Sequence, residues 1–450
     1  MRNRALPSSP QARPKSEFGS LSIYDRDQIK VMTEKLIYTP LIEGDFRLLV
    51  LEPGPHKDPN ISVRLVQCRP QFAPTYDALS YVWGDQSRRT TISLDGKPFD
   101  VTTNLAWALR RTRNPHEARL VWADAICINQ LDLQERSQQV AIMGSIFSNA
   151  SRVLVCMGEP PDNRGDEDVS SLMNGFTFLW GRHPDIPALR QHDPLRTDAR
   201  WRSVAKFMQL PWFRRAWVIQ EVGLARDPRV LYGRCEFGYR DMLRVMKWAG
   251  CQTWILQFAI PSLLVHREWH DWTQPNHPLS FIDLLNHGAL LDCSDPRDHV
   301  YAFLGHPLAR NEDGSPLIFP DYVKSVEQLY LDVSRILLRR FGLRLLSSVE
   351  HRESTIKDEF PSWVVRWNVS VVMNDIARYP LLYRATPPHW APDLAKAISG
   401  KKLELPGVIL DRVSKAYCID VRSTPDVSLR FIDFSDVSRN LSWSNILGEG

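Results

Sequence analysis

One stretch limits the fold more than any other: residues 120–140, LVWADAICINQLDLQERSQQV. It opens as a hydrophobic strand, LVWA, and closes as a helix. Asp132, with Glu135 three residues on, resembles a capping box for that helix. Val140, Met143, Ile146 or Phe147, and Ala150 then recur at helical spacing. A further apolar strand follows at 152–157, RVLVCM. Such a strand–helix–strand unit predicts parallel pairing with a right-handed crossover, and hence an α/β sheet. In open α/β sheets, ligands sit beyond the carboxyl ends of the strands. The polar run Asp124, Cys127, Asn129, Gln130 and Asp132 falls there. It is therefore expected to face a ligand or a partner.

The rest of the chain is arranged around that unit. Residues 1–20 are rich in Pro, Ser and basic groups and read as a disordered tail. Strands are expected at 42–51 and 61–68, joined by EPGPHKDPN, and at 78–83, ending at Gly84-Asp85. Asp95-Gly96 signals a hairpin between 91–94 and 97–101. Thr103 or Asn104 caps a helix to about 113. The Pro-, Asp- and Gly-rich stretch 159–200 reads as an insertion. Pro211 opens a helix that runs through Trp217 and Glu221 to about 225. A strand at 229–232 precedes helices at 278–291 and from Asp295-Pro296. Val326, Leu329, Tyr330, Val333, Ile336 and Leu337 form an amphipathic stripe, and 403–433 is strand-rich. The expected organisation is an α/β domain at 40–240, a mainly helical region at 241–370 and a mixed, strand-rich region at 371–450.

Several function classes lose support at this level. The chain has 450 residues and a net charge of only +4, so no nucleic-acid partner is expected. The basic clusters (Arg110, Arg111 and Arg113; Arg214 and Arg215; Arg339 and Arg340) read as solvated helix faces, with a phosphate site as the alternative. No apolar run approaches the roughly 18 residues of a membrane span. Seven cysteines without a CxxC pair suit reduced thiols. With no apolar leader at the N-terminus, the expectation is a cytoplasmic protein. There is no Walker A sequence, no GxGxxG after a strand and no GxSxG. His266 and His270 stand four apart but lack the HExxH order, so no metal is expected, and no resident cofactor either.

Three segments together resemble the fungal HET (heterokaryon incompatibility) domain: YDALSYVWGD at 76–85, LVWADAICINQLDLQERSQQVAIMGSIFSNASRVLVCMG at 120–158 and PWFRRAWVIQEVGLA at 211–225. SDPRDHVYAFLG, FPDYVKSVEQLY and FPSWVVRW resemble the region that often follows that domain. The resemblance implies an effector of non-self recognition and programmed cell death, acting through self-assembly or protein partners. A regulatory or structural HET protein without toxicity is the bland alternative. More weakly, the pattern is similar to that of TIR domains, with a flavodoxin-like parallel sheet flanked by helices. Some TIR domains cleave NAD through one Glu on a helix, which WVIQEV resembles. That likeness makes Glu221 a candidate catalytic carboxylate and NAD a candidate substrate. It puts the end of the first strand at Trp83-Gly84-Asp85 and the ligand-bordering loop at 125–138.

The residues allow both a site and a bland reading. Glu221 can stabilise an oxocarbenium-like centre or pair with Arg214 or Arg215. Asp124 can hold a ribose or cap a turn. Asn129 and Gln130 can read polar ligand edges or make turns. Tyr81, Trp83 and Asp85 share one face of their strand, apart from Ser80 and Val82, and Trp83 can stack on a ring or fill the core. Arg136 can bind phosphate or pair with Asp132. Arg215 and Trp217 can bridge their helix to the Asp124 loop.

Overall fold

A computed structural model describes residues 38–162, 164–182, 190, 192–250, 280–351, 355, 359–369 and 397–405. A nine-stranded mixed sheet forms its centre, in the order β5-β4-β2-β1-β6-β3-β7-β8-β9. The strands are β1 (Phe46–Leu51), β2 (Ser62–Cys68), β3 (Asp77–Tyr81), β4 (Arg89–Leu94), β5 (Lys97–Thr102), β6 (Arg119–Trp122), β7 (Arg152–Cys156), β8 (Pro228–Tyr232) and β9 (Cys235–Gly238). β6, β3, β7 and β8 run parallel, side by side. Ranked by chain order, these four stand 2-1-3-4, which is how the flavodoxin-like order begins. β3 is buried on both faces and β7 almost so, as strands covered by helices on two sides must be. Antiparallel neighbours on both flanks make the whole sheet mixed.

The helices that cover the sheet begin with α1 (Thr103–Thr112), α2 (Asp124–Cys127) and α3 (Leu133–Asn149). α3 does not return the chain to a strand paired with β6. β3 lies between β6 and β7 and is parallel to both, which corrects the direct pairing expected. The Asp95-Gly96 hairpin does form, with φ of 51° and 76° at its two central residues, the geometry Asp-Gly favours. The cap of α1 is Thr102, one residue earlier than expected, and its hydroxyl accepts from the Leu105 N–H.

The 159–200 stretch carries α4 (Gly165–Arg182), followed by α5 (Arg200–Met208). Val169, Leu172, Met173 and Phe176 of α4 are buried in the main core. The continuous helix expected from Pro211 is interrupted. A 3-10 turn at Pro211–Arg214 is followed by an extended Arg215 that bridges to Asp292; α6 (Trp217–Gly223) starts after it. α7 (Tyr239–Gly250) adds Tyr239, Met242 and Val245 to the same core. Arg113 is neither on a solvated face nor a phosphate ligand. It is buried and donates to the carbonyls of Pro55, Asp58 and Asn60.

A second core is built on α8 (Phe281–Gly288), α9 (Asp298–Tyr301) and α10 (Val326–Phe341), with Trp363, Val365 and Trp367. α10 is the amphipathic stripe expected, with Leu329, Tyr330, Val333 and Leu337 buried. α8 is shorter than the expected 278–291 helix, and Ser280 with Asp283 forms its capping box. Val140, Ala216 and Ile219 of the sheet region pack into this second core. A two-stranded pairing, Ile398–Ser399 with Lys402–Leu403, follows. The expected tail, His266, His270 and most of the 403–433 stretch lie outside the described residues. Among the described residues no helix is long and apolar enough to cross a membrane.

Gly288 shows how tightly the second core closes. A β-carbon there would stand 2.3 Å from Cζ of Phe303. Gly288→Ala is expected to lower the unfolding free energy by about 1–3 kcal/mol through overpacking. Urea denaturation of the two proteins measures this.

Candidate functional site

The pleat of β3 sends Ser80 to one side and Tyr81 to the other. On one side, Tyr81 Oη and, just past the strand, Trp83 Nε1 donate to the two carboxylate oxygens of Asp124 at 2.9 and 2.8 Å. The backbone N–H of Ala125 adds a third donor at 2.8 Å. Asp124 is thus filled by its own fold. On the other side, Ser80 Oγ donates to Glu221 and accepts from Trp212 Nε1 at 2.9 Å. Arg215 donates to the Tyr81 carbonyl, and its guanidinium stands 4.0 Å from Glu221. Only 5% of Glu221 is exposed. Burial pushes its carboxyl up to about 7, against the pull of Arg215 and of the Ser80 hydrogen bond.

The polar run after β6 is wired inward as well. Asp132 caps α3 by accepting from the N–H groups of Gln134 and Glu135. Glu135 does not return the contact, which corrects the capping box. Its carboxylate instead takes both terminal nitrogens of Arg47, at 2.6 and 2.9 Å, and the Asn129 N–H at 2.7 Å. Arg47 sits on β1, 1% exposed, and also donates to the carbonyls of Cys127 and Thr39. Asn129 Oδ1 accepts from the Leu131 N–H, a turn contact. Gln130 Nε2 donates to the Asp124 carbonyl. Burial pushes the Cys127 thiol up to about 12, so it is no nucleophile at neutral pH.

An open groove of about 710 Å³ lies beside this run. Trp83, Gln130, Leu131 and Tyr38 form one wall, and Arg89 and Asp100 line the opposite hairpin. Of the candidate residues, Trp83 and Gln130 reach the groove; Asp124 and Glu221 do not line it. Asp85 takes no part. It is exposed and accepts from Ser87. Arg136 pairs with neither Asp132 nor an open anion site. It stacks 3.7 Å from the ring centre of Tyr322 and stands 3.8 and 3.7 Å from Asp295 and Asp298. Trp217 points to Asp298, at 3.0 Å, rather than to the Asp124 loop. Among the described residues no His, Cys, Asp or Glu cluster is arranged for a metal.

Sequence reasoning missed Ser80, Trp212, Arg47, Asp298 and Tyr322 as organising residues, and took Glu135 only for a helix cap. Ser80 alone had a usable signal: a hydroxyl in a strand buried on both faces needs a partner.

The fold and this internally satisfied polar centre define an α/β module joined to a second, helical core. Residues 76–221 match the family described as "Heterokaryon incompatibility protein (HET)". The chain thus carries a HET domain, and the match ends at Glu221. It is also 27% identical to heterokaryon incompatibility protein 6, OR allele, of Neurospora crassa, over 441 residues. That alignment covers 82% of this chain and 64% of the relative, so the chain spans less than two thirds of that curated protein. No solved structure matches it.

The raised carboxyl of Glu221 has a consequence for stability. Its value in the fold is about 7, against 4.5 for an ordinary Glu. Between those values the folded chain holds a proton that the unfolded chain has released. Stability therefore falls as pH rises from about 4.5 to about 7 and is level above. Glu221→Gln should flatten that slope and raise the urea midpoint at pH 8. Asp298, whose carboxyl burial also raises, contributes a slope of the same sign.

Proposed function

We propose that this chain acts in heterokaryon incompatibility, with its HET module signalling non-self recognition and cell death through protein assembly. The match of residues 76–221 to the HET family carries that reading. Its relative bears the incompatibility name over most of this chain's length. The site geometry supports an interaction module over an enzyme. A hydrolase acting through Glu221 needs that carboxylate in an open cleft with Asp124 and an aromatic ring. Here Glu221 is buried against Ser80 and Arg215, and Asp124 is spent on Tyr81 and Trp83. No observation favours NAD cleavage. The module acts in the cytoplasm, where fused cells mix their contents.

The test is to express the chain in a fungal strain and score vital-dye uptake in cells fused with compatible and unlike strains. Dye uptake confined to unlike fusions is expected. Equal survival with and without the chain, in every pairing, would contradict the reading.

A further inference from the structure

The groove beside the polar run is open, and the chemistry of its walls is specific. Tyr38, Trp83, Phe99 and Leu131 give it aromatic and aliphatic surface, with Asp100 and Arg89 among its polar groups. The rings are held in place. The Trp83 N–H is taken by Asp124, and the Tyr38 hydroxyl donates to the Ile126 carbonyl at 2.9 Å. Leu131 is 51% exposed. The two charges are not equally free. Arg89 is spent on its own hairpin, donating to the Gln86 carbonyl, to Gln86 Oε1 and to the Asp100 carbonyl. The exposed Asp100 carboxylate accepts from Thr91 Oγ1 at 2.7 Å, and no cation pairs with it among the described residues. Fixed rings beside a carboxylate without a cation suit a stiff, apolar chain that carries a positive charge.

The chain supplies a segment of that chemistry, and that segment leads into the groove. Residues 1–37 precede Tyr38, which is itself part of the wall. Within them runs RNRALPSSPQARPK, at 2–15, with Arg2, Arg4, Arg13 and Lys15 and no acidic residue before Glu17. Pro7, Pro10 and Arg13 stand three residues apart. A polyproline II chain has three residues per turn, so this spacing puts two prolines and one guanidinium along a single edge. Aromatic-lined grooves take up such an edge because the proline backbone is pre-set and little ordering entropy is lost. The stretch from Lys15 to Tyr38 is long enough to return to any point of the groove.

We propose that this groove is the docking site of the chain's own proline-rich segment, residues 4–15, with Pro7 and Pro10 on the rings and Arg13 on the Asp100 carboxylate. Residues 98–102 of β5, the outermost strand of the sheet, all line the groove, so the outer edge of that strand opens into it. An uncovered edge strand invites pairing with other chains. The docked segment covers that edge together with Leu131, and so keeps both from other extended peptides. The proposal is independent of the incompatibility reading: its readout is occupancy of the groove, not cell death.

The experiment is hydrogen exchange on the full chain, followed at residues 99–102 and 129–131. Wild type is compared with Arg13→Glu, with Asp100→Lys and with the two combined. Each single swap should speed exchange at these residues by about tenfold, which is what one hydrogen bond between charged groups is worth. The combined swap reverses the pair and should restore the wild-type rate. A further chain, Pro7→Gly with Pro10→Gly, leaves the groove itself untouched. It should exchange as fast as the single swaps, and an added peptide of residues 4–15 should slow it again. Rates equal to wild type in every variant overturn the proposal. So do single swaps that act but fail to cancel when combined, or an added peptide that protects nothing. Wild-type protection that rises with protein concentration would put a second copy's segment in the groove and overturn docking within one chain.

Discussion

The buried pair of Arg47 and Glu135 fixes the geometry on which everything beyond β6 depends. Arg47 comes from β1 and Glu135 from the first turn of α3. Between them they hold the Cys127 carbonyl, the Asn129 N–H and the Thr39 carbonyl. A charged pair at this depth is costly unless its remaining lone pairs and protons are met. Here all but one are met; Arg47 Nε alone has no partner. The loop after β6 therefore has one conformation available to it. That conformation sets the direction of α3, and the outer face of α3 is the ground on which the second core stands.

β3 carries the other constraint. Its successive side chains feed two separate polar groups, Ser80 towards Glu221 and Trp212, and Tyr81 towards Asp124. Both groups stand near the strand ends where α/β folds commonly bind ligands. Each is closed by donors from the chain itself. This explains how a module can have the topology of a ligand-binding sheet and yet present few free polar groups to a ligand. What opens outward beside them is the groove between Trp83, Gln130 and the β4–β5 hairpin.

Much of the architecture was legible in the sequence because local physics dominates there. Strands β6 and β7, the Asp95-Gly96 hairpin and the α10 stripe each follow from periodicity or turn chemistry confined to a few residues. The placement of β3 between β6 and β7 did not follow, because strand order is decided by contacts distant in sequence. The sequence singles out polar residues of the run after β6, but not their partners. Arg136 has an acidic residue four positions back, yet its pairing is with Asp295 and Asp298, far along the chain. Glu135 looked like a helix cap, but a guanidinium on another strand competes better for a carboxylate than a backbone N–H does. Helix spacing can nominate such groups, and only the tertiary fold says which partner wins.

A double-mutant cycle on Arg47 and Glu135 most directly tests whether the polar run is internal wiring. Arg47→Met, Glu135→Leu and the double variant are unfolded in urea at neutral pH. Each single change strands a buried charge and should cost roughly 3–5 kcal/mol, while the double variant recovers a large part of that loss. Single costs below about 1 kcal/mol, with simple additivity in the double variant, would be the behaviour of a loose surface pair. That result would contradict an inwardly wired loop and return residues 124–132 to the role of an open, ligand-facing surface.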